Sequence, residues 1–209
     1  MIEVEDSTLQ ELRRGVRDSL PEIALIGDDE LRDKVIEVHA LALAETGYRR
    51  VEDIPPSGVP ESPKMLRGTQ ADHYRGVATM AVGMADGLER VMGDLEIDRD
   101  VLIAAALVHD VGKAWEFDQW ERWKAERRRS GSPALRHPVY GAHLALQVGL
   151  PEAIVHCVAA HPYLAEGSFV KASFETTIVQ YADVAFWKML EAAGELEGEM
   201  EITGADREP

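Results

Sequence analysis

The stretch Val101-Leu102-Ile103-Ala104-Ala105-Ala106-Leu107-Val108 has no polar residue, so a helix built from it must be covered on every side. It runs straight into His109-Asp110, two metal-ligand side chains at the point where Gly112 should end the helix by taking a left-handed conformation. Neighbouring residues on a regular helix point about 100° apart and seldom share a ligand. At a helix terminus, however, the backbone can turn both side chains toward one centre. Further ligand-type residues lie before and after the pair: His73, His137, His161 and Asp183.

Helix signals dominate the rest of the chain, and we expect an all-α fold. Residues 7–19 read as a short helix, and Asp28 or Asp29 caps a second one reaching about Ala44, ended by Gly47. Pro55-Pro56, Gly58, Pro60 and Pro63 mark 51–64 as a linker lying against the body. Val77, Met80, Ala81, Met84, Leu88 and Val91 make an apolar stripe on a helix over about 69–91. Asp98 or Asp100 caps the helix carrying the His-Asp pair, and 115–129 reads as a polar, aromatic-containing helix. Pro138–Val148 is stopped by Gly149, with Pro151 at the start of the next helix. Ser173 caps the last long helix, whose stripe is Ile178, Tyr181, Ala182, Ala185 and Met189. The acidic end, 195–209, is expected to fray as a tail.

With 209 residues, 45% of them hydrophobic, the chain can bury one sizeable core with small additions. Its 38 acidic against 22 basic residues give a formal charge of -16, which argues against a nucleic-acid polymer as partner. A small anionic substrate stays compatible, because a metal and a few Arg or Lys can invert the local field. The single Cys157 excludes an internal disulfide and fits a reducing compartment. No apolar stretch reaches about 18 residues, and the acidic start lacks the charge pattern of a signal peptide, so a soluble cytoplasmic protein without membrane contact is expected.

His73 precedes Val77 by one helical turn and so faces inward, and Asp183 lies near the apolar face of its helix. A carboxylate there costs several kcal/mol unless it is paired or bound to a metal. With His109 and Asp110 these give two imidazoles and two carboxylates, a suitable shell for a divalent transition metal. His137 and His161, each followed by proline, sit at helix ends; if Asp110 bridges two ions, they complete a second site. His143 stands about 120° from His137 around its helix and His156 about 140° from His161, so both face elsewhere. His39 reads as structural.

In this order His73, His109-Asp110, His137, His161 and Asp183 resemble the HD superfamily of metal-dependent phosphohydrolases. Leu107-Val108-His109-Asp110-Val111-Gly112-Lys113 looks like its signature, and His137-Pro138-x-x-Gly141-Ala142 resembles the segment with a further ligand in two-metal branches. The likeness spans about 69–190 and implies an HD-domain helical bundle over 65–194, with 1–64 as a helical extension and Pro-rich linker. It implies one ion held by His73, His109, Asp110 and Asp183, and a second by Asp110, His137 and His161. The ions would be Fe, Mn, Co, Ni or Mg, activating a water that attacks phosphorus.

The sequence departs from some branches. Pro162-Tyr163-Leu164-Ala165-Glu166-Gly167 follows His161 where the HD-GYP type carries another His and a Gly-Tyr-Pro element. Leu66 stands where phosphonate-cleaving di-iron oxygenases place a Glu. Lys113 is placed to hold a phosphoryl oxygen, or is a helix C-terminal lysine favoured by the macrodipole. Arg122, Lys124, Arg127, Arg128, Arg129 and Arg136 form the basic segment of an acidic chain, either a lid over an anion or a solvated face, with Arg136 the first candidate to bind phosphate. Trp115, Trp120 and Trp123 beside it are expected to pack. The expectation is a hydrolase of a small phosphate ester or anhydride, a nucleotide included. The alternatives are a di-iron oxygenase cleaving a C–C or C–P bond and a non-catalytic sensor. Substrate identity would be set by 48–68, 115–136 and 162–172, and the oligomeric state, homo-oligomer included, stays open.

Overall fold

The computed structural model describes residues 6–58, 63–125, 135–162 and 173–197, without the side chains of 121–125. Its centre is the helix Arg99–Val108 (α4), whose residues from Leu102 onward are all buried. Asp98 caps it, its side chain accepting from Val101 N at 3.0 Å. With an apolar surface all round, α4 is enclosed by the helices Asp29–Ala44 (α2), Gln70–Met92 (α3), Glu152–Ala160 (α7) and Phe174–Ala192 (α8). The first helix, Asp6–Ser19 (α1), packs on α2 and adds Leu12 and Val16 to the same core. Lys113–Ala125 (α5) and His137–Gln147 (α6) complete the bundle.

Local signals account for most boundaries. Asp28 caps α2 through Leu31 N, Thr69 and Asp72 form a reciprocal capping box at α3, and Ser173 caps α8 through Thr176 N. Gly149 ends α6 with φ +71. Among the described residues no helix is long and apolar enough to cross a membrane.

Two apolar stripes turn out differently from their spacing. On α3 the inward face is Ala71, Tyr74, Val77, Ala78, Ala81 and Ala85, while Leu88, Val91 and Met92 are exposed because the helix outruns the neighbours that cover it. On α8, Tyr181 and Met189 are exposed, and Val179 and Trp187 are buried in their place. The buried face is thus rotated toward Asp183. A second difference is a minimal β ribbon, in which Lys64–Met65 pairs antiparallel with Leu196–Glu197. Arg67 also ion-pairs with Glu195, its Nε 2.8 Å from Oε2. The first three residues of the acidic end are therefore fastened to the Pro-rich segment; 198–209 lie outside the described residues.

Candidate metal centre

Four helices and one turn converge on Asp110. His109 is the C-cap of α4 with ordinary right-handed angles, and the backbone then folds through Asp110–Gly112 into α5. Gly112 does not have the left-handed φ expected of it. Its role is close approach: a Cβ there would lie 2.1 Å from the His137 carbonyl oxygen and 2.7 Å from Gly141 N. Gly141 is tight for the same reason, since a Cβ on it would sit 2.8 Å from Val158 Cγ1. The two glycines let the start of α6 lie directly on the His-Asp turn, and this brings His137 to Asp110.

All six ligand-type residues named from the sequence meet here. On one side, Asp110 Oδ2 is 3.1 Å from His73 Nε2 and 3.2 Å from His109 Nε2. Those two nitrogens are 3.3 Å apart, and Asp183 Oδ1 lies 3.4 Å from His73 Nε2 and 3.9 Å from His109 Nε2. On the other side, Asp110 Oδ1 is 3.2 Å from His137 Nε2 and 3.3 Å from His161 Nε2. Each oxygen of one carboxylate thus faces its own group of donors. The side chain of Asp183 is the most open, 18% exposed.

The chemistry of these donors fits a cation. His109 Nδ1 lies 2.7 Å from Ala106 O, His161 Nδ1 2.9 Å from Val158 O, and His137 Nδ1 2.5 Å from Glu116 Oε2. Each of these partners only accepts, which places the proton on Nδ1 and leaves a bare Nε2 lone pair aimed at an Asp110 oxygen. Acceptor facing acceptor at 3.2–3.3 Å is repulsive unless a proton or a metal ion lies between. Asp183 Oδ1 accepts no hydrogen bond among the described residues. A divalent ion with ligands at about 2.1 Å would set neighbouring donors about 3.0–3.4 Å apart, the range most of these contacts occupy.

Electrostatics state the same demand. Burial opposes charge on every imidazole, and at His73 and His161 it prevails, lowering both below the ordinary value. At His109 burial is outweighed by Asp110, and at His137 by Asp110 and Glu116, so both are raised. Burial would lift Asp110, yet Lys113 and His109 hold it well below the usual carboxylate range.

Lys113 is buried and opens α5, so the macrodipole explanation fails: a helix N-terminus disfavours a cation. Asp110 holds it instead, with Nζ 2.6 Å from Oδ2 and 3.1 Å from Ser57 O. Arg136 donates from Nε to Glu116. The side chains of Arg122, Trp123 and Lys124, and all of Arg127, Arg128 and Arg129, lie outside the described residues. Trp115 stacks on Tyr140 with ring centroids 4.5 Å apart. His39 is structural, its Nε2 2.9 Å from Leu107 O, and His143 is exposed.

Glu116 escaped the sequence reading. It is wholly buried, and His137 and Arg136 bring its carboxyl down to about 2 against the opposing effect of burial. Nothing in its spacing separates it from Asp118 or Glu121 on the same helix.

Comparison with known proteins agrees with this geometry. The family model of the HD domain matches residues 71–207. A protein of Methanocaldococcus jannaschii named dihydroneopterin 2′,3′-cyclic phosphate phosphodiesterase is 31% identical over 180 residues, covering 80% of this chain and 67% of its own. No solved structure matches. The chain belongs to the HD domain family of metal-dependent phosphohydrolases.

Proposed function

We propose that this HD-domain phosphohydrolase cleaves a small-molecule phosphate ester or anhydride, with a cyclic phosphodiester as the first substrate class to try. His73, His109, Asp110 and Asp183 would hold one divalent ion, and Asp110, His137 and His161 a second. The observation that carries this reading is Asp110, whose two oxygens face two separate groups of donors. The cyclic phosphodiester is suggested by the relative, whose name specifies a 2′,3′-cyclic phosphate.

Bound ions would supply a deprotonated water near neutral pH and neutralise charge on the phosphoryl oxygens. The chain's own groups have distinct tasks. Asp110 fixes the two donor groups relative to one another. Lys113, which donates to Asp110 and Ser57, would give a further N–H to a non-bridging phosphoryl oxygen. Arg136 donates from Nε to Glu116, and its remaining guanidinium N–H groups would be offered to the substrate phosphate. The core behind His73 and His109 keeps bulk water out on that side, so substrate enters past Asp183.

The test is release of p-nitrophenol from bis-p-nitrophenyl phosphate and ring-opening of nucleoside 2′,3′-cyclic phosphates to the 2′- or 3′-monophosphates. Activity should vanish with a chelator and return with Mn, Fe, Co, Ni or Mg. A protein that carries its ions yet releases nothing from esters, diesters or anhydrides would sink the proposal. Oxygen uptake by the iron-loaded protein, in place of phosphodiester hydrolysis, would move the chemistry to the oxygenase branch.

A further inference from the structure

His137 differs from the other anchored imidazoles in where its second nitrogen goes. His109 and His161 each close a helix, so a carbonyl three residues back is within reach: Ala106 O for one, Val158 O for the other. His137 opens α6, and a first helical residue has no preceding turn to lend it a carbonyl. Its Nδ1 turns instead to the Glu116 carboxylate on α5, 2.5 Å away. The same oxygen accepts the His137 backbone N–H at 3.1 Å, one of the orphan donors at the start of α6. The other oxygen accepts from Arg136 Nε. Glu116 is wholly buried, and these hydrogen bonds from residues 136 and 137 are what its carboxylate serves.

We infer that Glu116 is the positioning residue of the second ion site, setting through His137 the affinity of that site and leaving the first site alone. This rests on the ligand assignment proposed above. A carboxylate on Nδ1 fixes the imidazole's tautomer and ring plane and makes Nε2 a stronger donor to a metal than a carbonyl partner would. It also places a negative charge one ring away from the second ion, with Arg136 holding the carboxylate in place. Among the described residues the hydrogen bonds of Glu116 go to Arg136 and His137, which places its effect on the Oδ1 side of Asp110. Arg136 accordingly supports the metal centre through Glu116, whether or not it also meets substrate.

The probe is Mn²⁺ titrated calorimetrically into the metal-free full chain, with the number of ions and the affinity of each read separately. The wild type should bind two. In Glu116→Ala the weaker ion should lose about 10- to 100-fold in affinity while the tighter one is unchanged. Glu116→Gln, which keeps an acceptor of the same length without the charge, should lose less than Glu116→Ala. If the alanine variant does not fold, Glu116→Gln decides alone, by weakening one ion only. Variants that bind both ions as the wild type does, or that weaken both equally, overturn the inference. A wild type binding fewer than two ions overturns the ligand assignment itself.

Discussion

The two sides of Asp110 are built in different ways. On the Oδ2 side the donors come from α3, the end of α4 and α8, which pack against one another in the core; His73 and His109 are wholly buried. On the Oδ1 side both histidines are helix-terminal residues, His137 opening α6 and His161 closing α7. His137 is held by a close glycine contact and by Glu116, and His161 by the carbonyl of Val158 one turn back in its own helix. The difference implies a first site fixed by the same packing that folds the protein, and a second that local changes can remove without unfolding it.

The harshest way to break this division is Asp110→Ala, because it removes the residue common to both sides. Both ions should be lost, and phosphodiester hydrolysis should fall on the order of 10³-fold or more. The same change strands the buried Lys113 ammonium, which should lower stability by roughly 3–5 kcal/mol. Metal content and a denaturant titration measure the two effects separately. A variant that retained one tightly bound ion would show that the sides do not share Asp110.

Gly112→Ala sharpens the division. The new Cβ meets the His137 backbone, which cannot rotate aside as a side chain can, so α6 must move off the His-Asp turn. We expect the second ion to be lost and the first kept, with a stability loss of about 1–3 kcal/mol. Mn²⁺ stoichiometry falling from two to one checks this. Loss of both ions at once would mean that the first side also leans on α6.

The asymmetry also explains what could be read from the sequence. α4 was legible because eight apolar residues admit only burial, and the caps at Asp28, Asp98 and Ser173 because capping is local chemistry. His73 and Asp183 were legible as polar residues on inward faces. The stripes of α3 and α8 were only partly so, because spacing gives the period of a face but not what covers it. That Gly112 was needed for approach rather than for its φ depends on α6, twenty-five residues further on. Glu116 depends on the same contact. Both belong to the Oδ1 side, where through-space neighbours decide the geometry; away from the centre, the β ribbon that joins residue 64 to residue 197 is another pairing no local signal marks.

A smaller effect tests the support behind the Oδ2 side. His39 on α2 donates to Leu107 O and packs edge-on against Tyr74, the neighbour of His73. Burial takes its pKa from 6.5 to about 4. Between those values the unfolded chain binds a proton that the folded chain refuses. The stability that depends on a neutral His39 is therefore full above about pH 6.5 and is lost as pH falls toward 4. The loss should be roughly 2 kcal/mol between pH 7 and pH 5. Denaturant midpoints of the metal-free protein should drop less over that interval in His39→Gln, which keeps a donor for Leu107 but does not titrate. Equal drops in the two proteins would remove His39 from the account.

The smallest expected effect fixes the outer limit of the centre. A ring belongs to it only if one of its nitrogens faces Asp110 or its neighbours. The ring of His143 does not: it is exposed and lies 6.0 Å from that of Tyr140. His156 turns its Nδ1 toward Thr176 Oγ1 at 3.4 Å, away from Asp110, on the face of α7 opposite to the one leading to His161. His143→Ala and His156→Ala should both keep two ions and wild-type phosphodiester hydrolysis, His156→Ala with a slight loss of stability because it is half-buried. Loss of an ion in either variant would show that a donor set reaches beyond the two oxygens of Asp110, and the contrast between a core-built side and a terminus-built side would then be incomplete.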